Sequence, residues 1–276
     1  MNFNRFEKIA VTDFADQLSH SGGLWIFHHI PKTAGSSLTR ELSVVLPPYR
    51  NVFAEHPRSG ADQGTDAMMS SVESFLEADR SVNYRSVSGH FRLPHLSRIR
   101  EAIPASRMFT FLRQPAERLI SDYRYAKTPK HPLYREFAEK FPTIEHYIED
   151  PCSQNKMWRF VTAGGQEAGD ESLARIFRNY AFIGTLESLS EDWSFLTSIV
   201  GCPKVMTARV NVTKAQDNNE VQYAPHLYQR IRELNAKDYL LYERVSGLLH
   251  TKRQEMNEYV EYRQGIWLGA VTERVA

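Results

Sequence analysis

Short apolar segments recur along the chain at a length typical of buried strands. Leu24–His28 and Met108–Leu112 are almost uninterrupted apolar runs, which indicates strands covered on both faces. Tyr180–Gly184 has the same character, and Val82–Ser88 alternates apolar and polar residues before Gly89 ends it. These segments predict four strands of a central sheet.

Helical spacing of apolar residues follows most of these predicted strands. Behind the first strand, Leu38, Leu42 and Val45 recur at intervals of four and three residues. A second helix is predicted to start at Pro115, and the C-terminal third reads as helical behind Pro225. Strands that alternate with helices predict an α/β fold, with a mostly parallel sheet flanked by helices and a helical C-terminal region.

The composition is that of a folded chain with almost balanced charge. Hydrophobic residues make up 42% of the sequence and charged residues 24%, which is enough for a packed core. The formal net charge of +1 argues against a nucleic-acid partner. No apolar run reaches the roughly 18 residues of a membrane span, and no signal peptide or disulfide framework is visible. We therefore expect one cytoplasmic domain over residues 1–276, without a transmembrane segment.

The balanced total hides a local excess of positive charge. Between residues 85 and 130 there are ten basic residues and three acidic ones. A cluster of this size in a neutral chain favours an anionic ligand or substrate over a set of unrelated surface charges. The basic residues are Arg85, Arg92, Arg98, Arg100, Arg107, Arg113, Arg118, Arg124, Lys127 and Lys130.

The segment Pro31–Ser37 connects the first predicted strand to a helix and has the residues of a phosphate-binding loop. The first turn of a helix offers unpaired N–H groups and a partial positive charge to an anion. Gly35 allows close backbone approach, and Lys32 adds a compact charge. A loop that merely caps the helix is the alternative.

The order of residues in this loop differs from that of a Walker A motif. A Walker A lysine follows the last glycine, and this chain contains no Gly-Lys pair. A kinase-like phosphotransferase that uses Mg²⁺ remains an alternative function, and the missing pair counts against it.

Two stretches of the chain resemble the sulfotransferases that use 3'-phosphoadenosine 5'-phosphosulfate (PAPS). His29–Leu38 resembles their 5'-phosphosulfate loop, and Phe109–Tyr123 resembles their 3'-phosphate motif. In particular, the chain is similar to the branch of heparan and chondroitin sulfate O-sulfotransferases and their bacterial relatives, over roughly residues 22–245. The resemblance implies a P-loop-like, three-layer domain that transfers a sulfuryl group from PAPS to an acceptor hydroxyl on a carbohydrate or glycolipid, leaves PAP as product and needs no metal.

The resemblance also implies which residues hold the nucleotide. Lys32 is the catalytic residue expected to stabilise the leaving phosphate oxygen, and Arg113 and Ser121 are expected at the 3'-phosphate. Lys214 is expected to close over the nucleotide. The full set of expected cofactor-binding residues is Lys32, Thr33, Ala34, Gly35, Ser36, Ser37, Arg113, Ser121 and Lys214.

A general base is needed to take the proton of the acceptor hydroxyl. His90 is expected in this catalytic role, because it follows a predicted strand and the family places a histidine base in a similar position. His56 and Glu55 in the neighbouring loop are its rivals. Some members carry a histidine where this chain has Ser88, and a module that binds nucleotide or glycan without catalysis is therefore a third alternative.

A second departure from the family pattern is Gln114, where the family commonly has Asp or Asn before the proline. We expect this change to affect the capping of the following helix more than phosphate binding.

The two histidines His28 and His29 are adjacent on a predicted strand, so their rings should point to opposite faces of the sheet.

Overall fold

A five-stranded parallel sheet forms the centre of the fold. The computed structural model describes residues 1–20, 22–54, 64–162, 167–206 and 219–275. The strands lie in the order β2-β3-β1-β4-β5, and every neighbouring pair is parallel. They are β1 Trp25–His28, β2 Tyr49–Val52, β3 Ser86–Gly89, β4 Arg107–Leu112 and β5 Phe182–Thr185.

Helices cover both faces of this sheet and continue beyond its last strand. This arrangement confirms the predicted P-loop-like α/β class, and the last two helices confirm the helical C-terminal region. The helices in the described ranges are α1 Phe3–Phe6, α2 Val11–Ser19, α3 Gly35–Val45, α4 Gly64–Val82, α5 Leu93–Ala102, α6 Pro115–Ala126, α7 Tyr134–Lys140, α8 Ile144–Glu149, α9 Lys156–Val161, α10 Asp170–Asn179, α11 Leu189–Ile199, α12 Pro225–Leu234 and α13 Ala236–Val275.

The sheet differs from the sequence-based prediction at β2 and β3. β2 is not among the four strands that the sequence predicts, and its Arg50 and Asn51 are exposed. An edge strand tolerates such polar residues. They interrupt the apolar pattern by which a strand is recognised in a sequence, so β2 was not predicted. The strand predicted from Val82 starts instead at Ser86, because α4 runs to Val82 and Asn83 follows with a left-handed φ of 54°.

The register of the strands brings several loop segments to one edge of the sheet. His28 pairs with Gly89 across β1 and β3, and the Thr110 hydroxyl in β4 donates to the His28 carbonyl over 2.8 Å. β2 and β3 lie on one side of β1, whereas β4 and β5 lie on the other. Ligands of open α/β sheets bind beyond the carboxyl ends of the strands where the strand order changes direction, here next to β1.

Two buried clusters position the helices. A small one joins α6 to α8 and α12 through Leu119, Tyr147 and Ile231, so that α6 is packed against these two helices. The main cluster includes both ends of the described chain: Phe3 and Phe6 pack edge-on against Phe182 of β5. The backbone N–H of Val11 donates to Glu255 in α13, which ties the first helices to the last one. No helix in the described ranges is both long and apolar enough to cross a membrane.

Candidate active site

The segment between β1 and α3 is a tight loop with two left-handed residues. Lys32 has a φ of 72° and Ala34 a φ of 64°, conformations that cost a non-glycine residue on the order of 1 kcal/mol or more. The Thr33 hydroxyl is buried and donates to the Ile30 carbonyl over 2.9 Å, which holds the turn closed. Ala34 is the N-cap of α3, and no side chain caps this helix end. The loop thus presents the positive end of a helix at the edge of the sheet.

Gly35 is required by a neighbour that the sequence did not reveal. A Cβ atom at this position would lie 1.5 Å from Nε2 of His29, so the imidazole occupies the space of any side chain. Gly35 therefore lets the first turn of α3 lie directly against His29. Close approach of a phosphate to Gly35 stays a prediction.

Lys32 is held at both its main chain and its side chain. The Arg113 guanidinium, at the end of β4, donates to the Lys32 carbonyl over 3.4 Å. The Lys32 ammonium lies 4.1 Å from the centroid of the Tyr125 ring. Burial lowers the pKa of Lys32, as do the charges of Arg113 and Arg118, whereas Asp122 opposes this shift. Lys32 and Arg113, predicted from separate motifs, are brought together by the structure.

Helix α6 begins where the sequence predicts and carries the second motif. Pro115 is its first residue, and the Gln114 side chain accepts from the Glu117 N–H over 2.8 Å. Gln114 thus caps α6, and a smaller effect of this residue on phosphate binding stays a prediction. Ser121 lies on this helix, partly buried and one turn before Tyr125, so the two residues share a face.

A buried ionic network supports α6 from behind. Asp122 contacts Lys156 over 2.6 Å and Arg118 over 3.3 Å, and it accepts from the Tyr147 hydroxyl over 2.9 Å. Burial opposes ionisation of Asp122, but the charges of Arg118 and Lys156 outweigh it and lower the pKa of Asp122 to about 2. Arg118 is only 1% exposed. The sequence places Arg118 in the basic cluster but does not reveal the network around it, because Lys156 and Tyr147 are distant in sequence.

His90 follows β3, and its side chain contacts His29, which lies just before the Pro31–Ser37 loop. Its Nδ1 lies 2.9 Å from the carbonyl oxygen of His29, which can only accept, so Nδ1 of the neutral ring carries the proton and Nε2 carries the lone pair. The two imidazole rings are 4.0 Å apart, centroid to centroid. Burial and the backbone contact act in opposite directions on His90, and burial prevails, so its pKa is lowered. The pKa of His29 is also lowered, by burial and by the adjacent charges of His90, His28 and Lys32.

His28 points to the other face of the sheet, as its position next to His29 predicts. Its Nε2 donates to the Phe91 carbonyl over 2.9 Å, and its Nδ1 accepts from the Tyr180 hydroxyl over 2.7 Å. Burial lowers the pKa of His28 to about 4, so the ring is neutral. His28 therefore anchors the backbone that follows His90.

Ser88, where the chain departs from the family pattern, is fully buried. Its hydroxyl donates to Asn51 Oδ1 over 3.0 Å and accepts from the Tyr49 hydroxyl over 2.6 Å. Ser88 thus links β3 to the edge strand β2.

Lys214, His56 and Glu55 lie outside the described residues. Among the residues described, no group of three or more histidine, cysteine or carboxylate side chains is placed to hold a metal ion.

A comparison with known protein families identifies the class of protein that carries this site. Residues 25–243 match the model of the sulfotransferase family, which is most of the chain and includes β1 to β5. The chain therefore belongs to the sulfotransferase family, whose members transfer sulfate. A search of curated proteins found no match.

Proposed function

We propose that this chain transfers a sulfuryl group from PAPS to the hydroxyl of a carbohydrate acceptor. The observation that carries the proposal is the contact of Arg113, at the end of β4, with the main-chain carbonyl of Lys32, in the loop that leads into α3. They meet beside β1, where the strand order reverses and ligands of such sheets bind.

The charges at this place fit a nucleotide with an anion at each end. Burial and the positive charges of Arg118 and Arg124 lower the pKa of Arg113, while Glu117 and Glu187 oppose them. Nε of Arg124 and Nε and Nη2 of Arg118 are buried and have no hydrogen-bond partner among the described residues. Burying hydrogen-bond donors without acceptors costs free energy, and so does placing cations close together. An anionic ligand would lower both costs.

PAPS has two anionic groups, and we assign a different set of residues to each. The N–H groups of the first turn of α3 and the hydroxyls of Ser36 and Ser37 would hold the 5'-phosphosulfate. Arg113 and Ser121 would hold the 3'-phosphate by charge-assisted hydrogen bonds. Thr33 and Ala34 shape the turn, and Lys214 is proposed to close over the nucleotide.

PAPS, when bound, supplies an activated sulfuryl group. Lys32 would stabilise the negative charge that develops on the leaving phosphate oxygen, and its lowered pKa makes the ammonium a better proton donor. His90 would take the proton of the acceptor hydroxyl at Nε2, since Nδ1 is engaged by the His29 carbonyl. Its lowered pKa keeps it neutral, and so able to accept a proton, at neutral pH.

The proposed acceptor class is argued from the sequence. The likeness to heparan and chondroitin sulfate O-sulfotransferases supports a carbohydrate acceptor, and the basic cluster of residues 85–130 favours an acceptor that is itself anionic. We further propose that residues 1–276 act as one cytoplasmic domain.

The cofactor is tested by thermal unfolding with PAP and without metal, beside ADP with Mg²⁺. PAP at about a hundred times its dissociation constant should add about 2.7 kcal/mol of stability, a shift of roughly 5–10 °C. Arg113→Ala should abolish the shift. Stabilisation by ADP with Mg²⁺ alone would instead establish the kinase-like alternative.

The catalytic role of Lys32 is tested by Lys32→Ala, assayed with labelled PAPS and a panel of polysaccharides. We expect kcat to fall about 10²–10³-fold, because a donor to the developing oxyanion is lost. Lys8→Ala, which removes an exposed lysine outside the site, is the control and should leave the rate unchanged. An undiminished rate in Lys32→Ala would refute the proposed role.

A further inference from the structure

Tyr125 has a contact with Lys32 that neither of the family motifs explains. The Lys32 ammonium lies 4.1 Å from the centroid of the Tyr125 ring, well within the range of a cation–π interaction. Ion pairs are present throughout the described ranges, yet none of those among the described residues includes Lys32. The aromatic ring is therefore the group that holds this cation.

An aromatic partner leaves the charge of the lysine available. A carboxylate at this distance would neutralise the ammonium and compete with the anion of a nucleotide for its donors. Asp122 is the nearby candidate, but its carboxylate is engaged by Lys156 and Arg118. The π face attracts the ammonium without accepting a strong hydrogen bond, so Lys32 keeps its three donors for a phosphate.

The Tyr125 ring is itself fixed in place. Tyr125 lies near the end of α6, and the His131 ring packs edge-on against it at 5.6 Å. At the other end of the lysine, Arg113 holds the Lys32 carbonyl and thus the left-handed turn. A flexible lysine side chain held in this way loses little further rotamer freedom when a ligand binds.

We propose that Tyr125 is a positioning residue for Lys32, whose ring face aligns the ammonium with the leaving phosphate oxygen. This inference rests on the proposed function of Lys32. Tyr125 itself transfers no proton and contacts no reacting atom in this role. It differs from Ser121, one turn earlier on the same helix face, which is proposed to contact the nucleotide directly.

The test compares Tyr125→Leu with Tyr125→Phe, because phenylalanine keeps the π face and leucine does not. The assay is the release of labelled sulfate from PAPS to water, which needs no identified acceptor, with PAP titration as a separate measure of binding. We expect Tyr125→Leu to lower kcat about fivefold to thirtyfold with little change in PAP affinity. Tyr125→Phe should stay within about twofold of the unchanged protein.

The decisive measurement repeats Tyr125→Leu in the Lys32→Ala background. If the ring acts through the lysine, its removal has no further effect once the lysine is gone. Tyr134→Leu, which removes a ring beneath Arg135 on α7, is the matched control and should leave the rate unchanged.

The outcomes separate this inference from the proposed function. An equal loss on Tyr125→Leu in both backgrounds would overturn the positioning role and leave the function of Lys32 intact. A Lys32→Ala variant that releases sulfate at the full rate would overturn both.

Discussion

The site has two sides that touch each other but differ in charge. The loop side is formed by Lys32–Ser37 with Arg113 and Ser121, and the imidazole side is formed by His29 and His90. Burial lowers the pKa on both sides. A lysine or arginine starts so far above neutrality that it keeps its charge after such a shift, whereas a histidine starts near 6.5 and becomes neutral. The same desolvation thus leaves one side cationic and makes the other a proton acceptor.

This difference matters because the proposed reaction needs both properties within a short distance. An anionic nucleotide requires fixed cations, and a base requires a neutral nitrogen. A neutral imidazole also adds no further positive charge to the cations around Lys32. The contact of Gly35 with His29 is where the two sides meet.

Replacing His90 by alanine should separate the two sides most clearly. We expect kcat for transfer to fall about 10²–10⁴-fold, because the acceptor proton loses its base, while PAP affinity measured by titration stays unchanged. His20→Ala, an exposed histidine at the end of α2, is the matched control. A large loss of PAP affinity in His90→Ala would show that the imidazole side also holds the nucleotide.

A methyl group at Gly35 should disturb both sides together. In Gly35→Ala the new Cβ overlaps His29, so we expect the free energy of unfolding to fall by about 1–3 kcal/mol and PAP to bind more weakly. Adding His29→Ala should restore most of this loss. Gly247→Ala in α13, where a Cβ meets nothing within 4 Å, is the control and should be neutral or stabilising. Failure of His29→Ala to rescue would refute the direct contact.

The pH dependence of kcat/KM should show the smallest effect. His90 must be neutral to act, and its pKa is lowered, so the acid limb should lie below pH 6.5. Lys32 must be protonated, and its lowered pKa places an alkaline limb below 10.5. Between them the rate should vary little. His90→Ala should lose the acid limb, and an acid limb above pH 6.5 would contradict the neutral imidazole side.

The fold could be predicted wherever apolar residues were continuous. The runs that form β1, β4 and β5 are buried along their whole length apart from Arg107, and each was found near its true bounds. β2 could not be found in this way, because Arg50 and Asn51 face solvent at the sheet edge. The start of β3 was misplaced because α4 extends to Val82 before the chain turns at Asn83.

The residues of the candidate site could be predicted only where they belong to a motif of consecutive residues. Lys32 and Arg113 lie in motifs that read locally, and the register of β1 and β4 then brings them together. The contact of His29 with Gly35 and that of Lys156 with Asp122 depend on packing between segments, which spacing does not show. The roles of Lys32, His90, Arg113, Ser121 and Lys214 all remain predictions.

The join between the first and last helices has a consequence for how the chain is made. The Val11 N–H is satisfied by Glu255, 244 positions later, and Phe3 and Phe6 rest on Phe182 of β5. Contacts of such long separation form late, since the intervening loop must close first. During synthesis, the apolar face of α1 therefore stays uncovered until β5 has left the ribosome, and the Val11 N–H finds Glu255 only after most of α13 has followed.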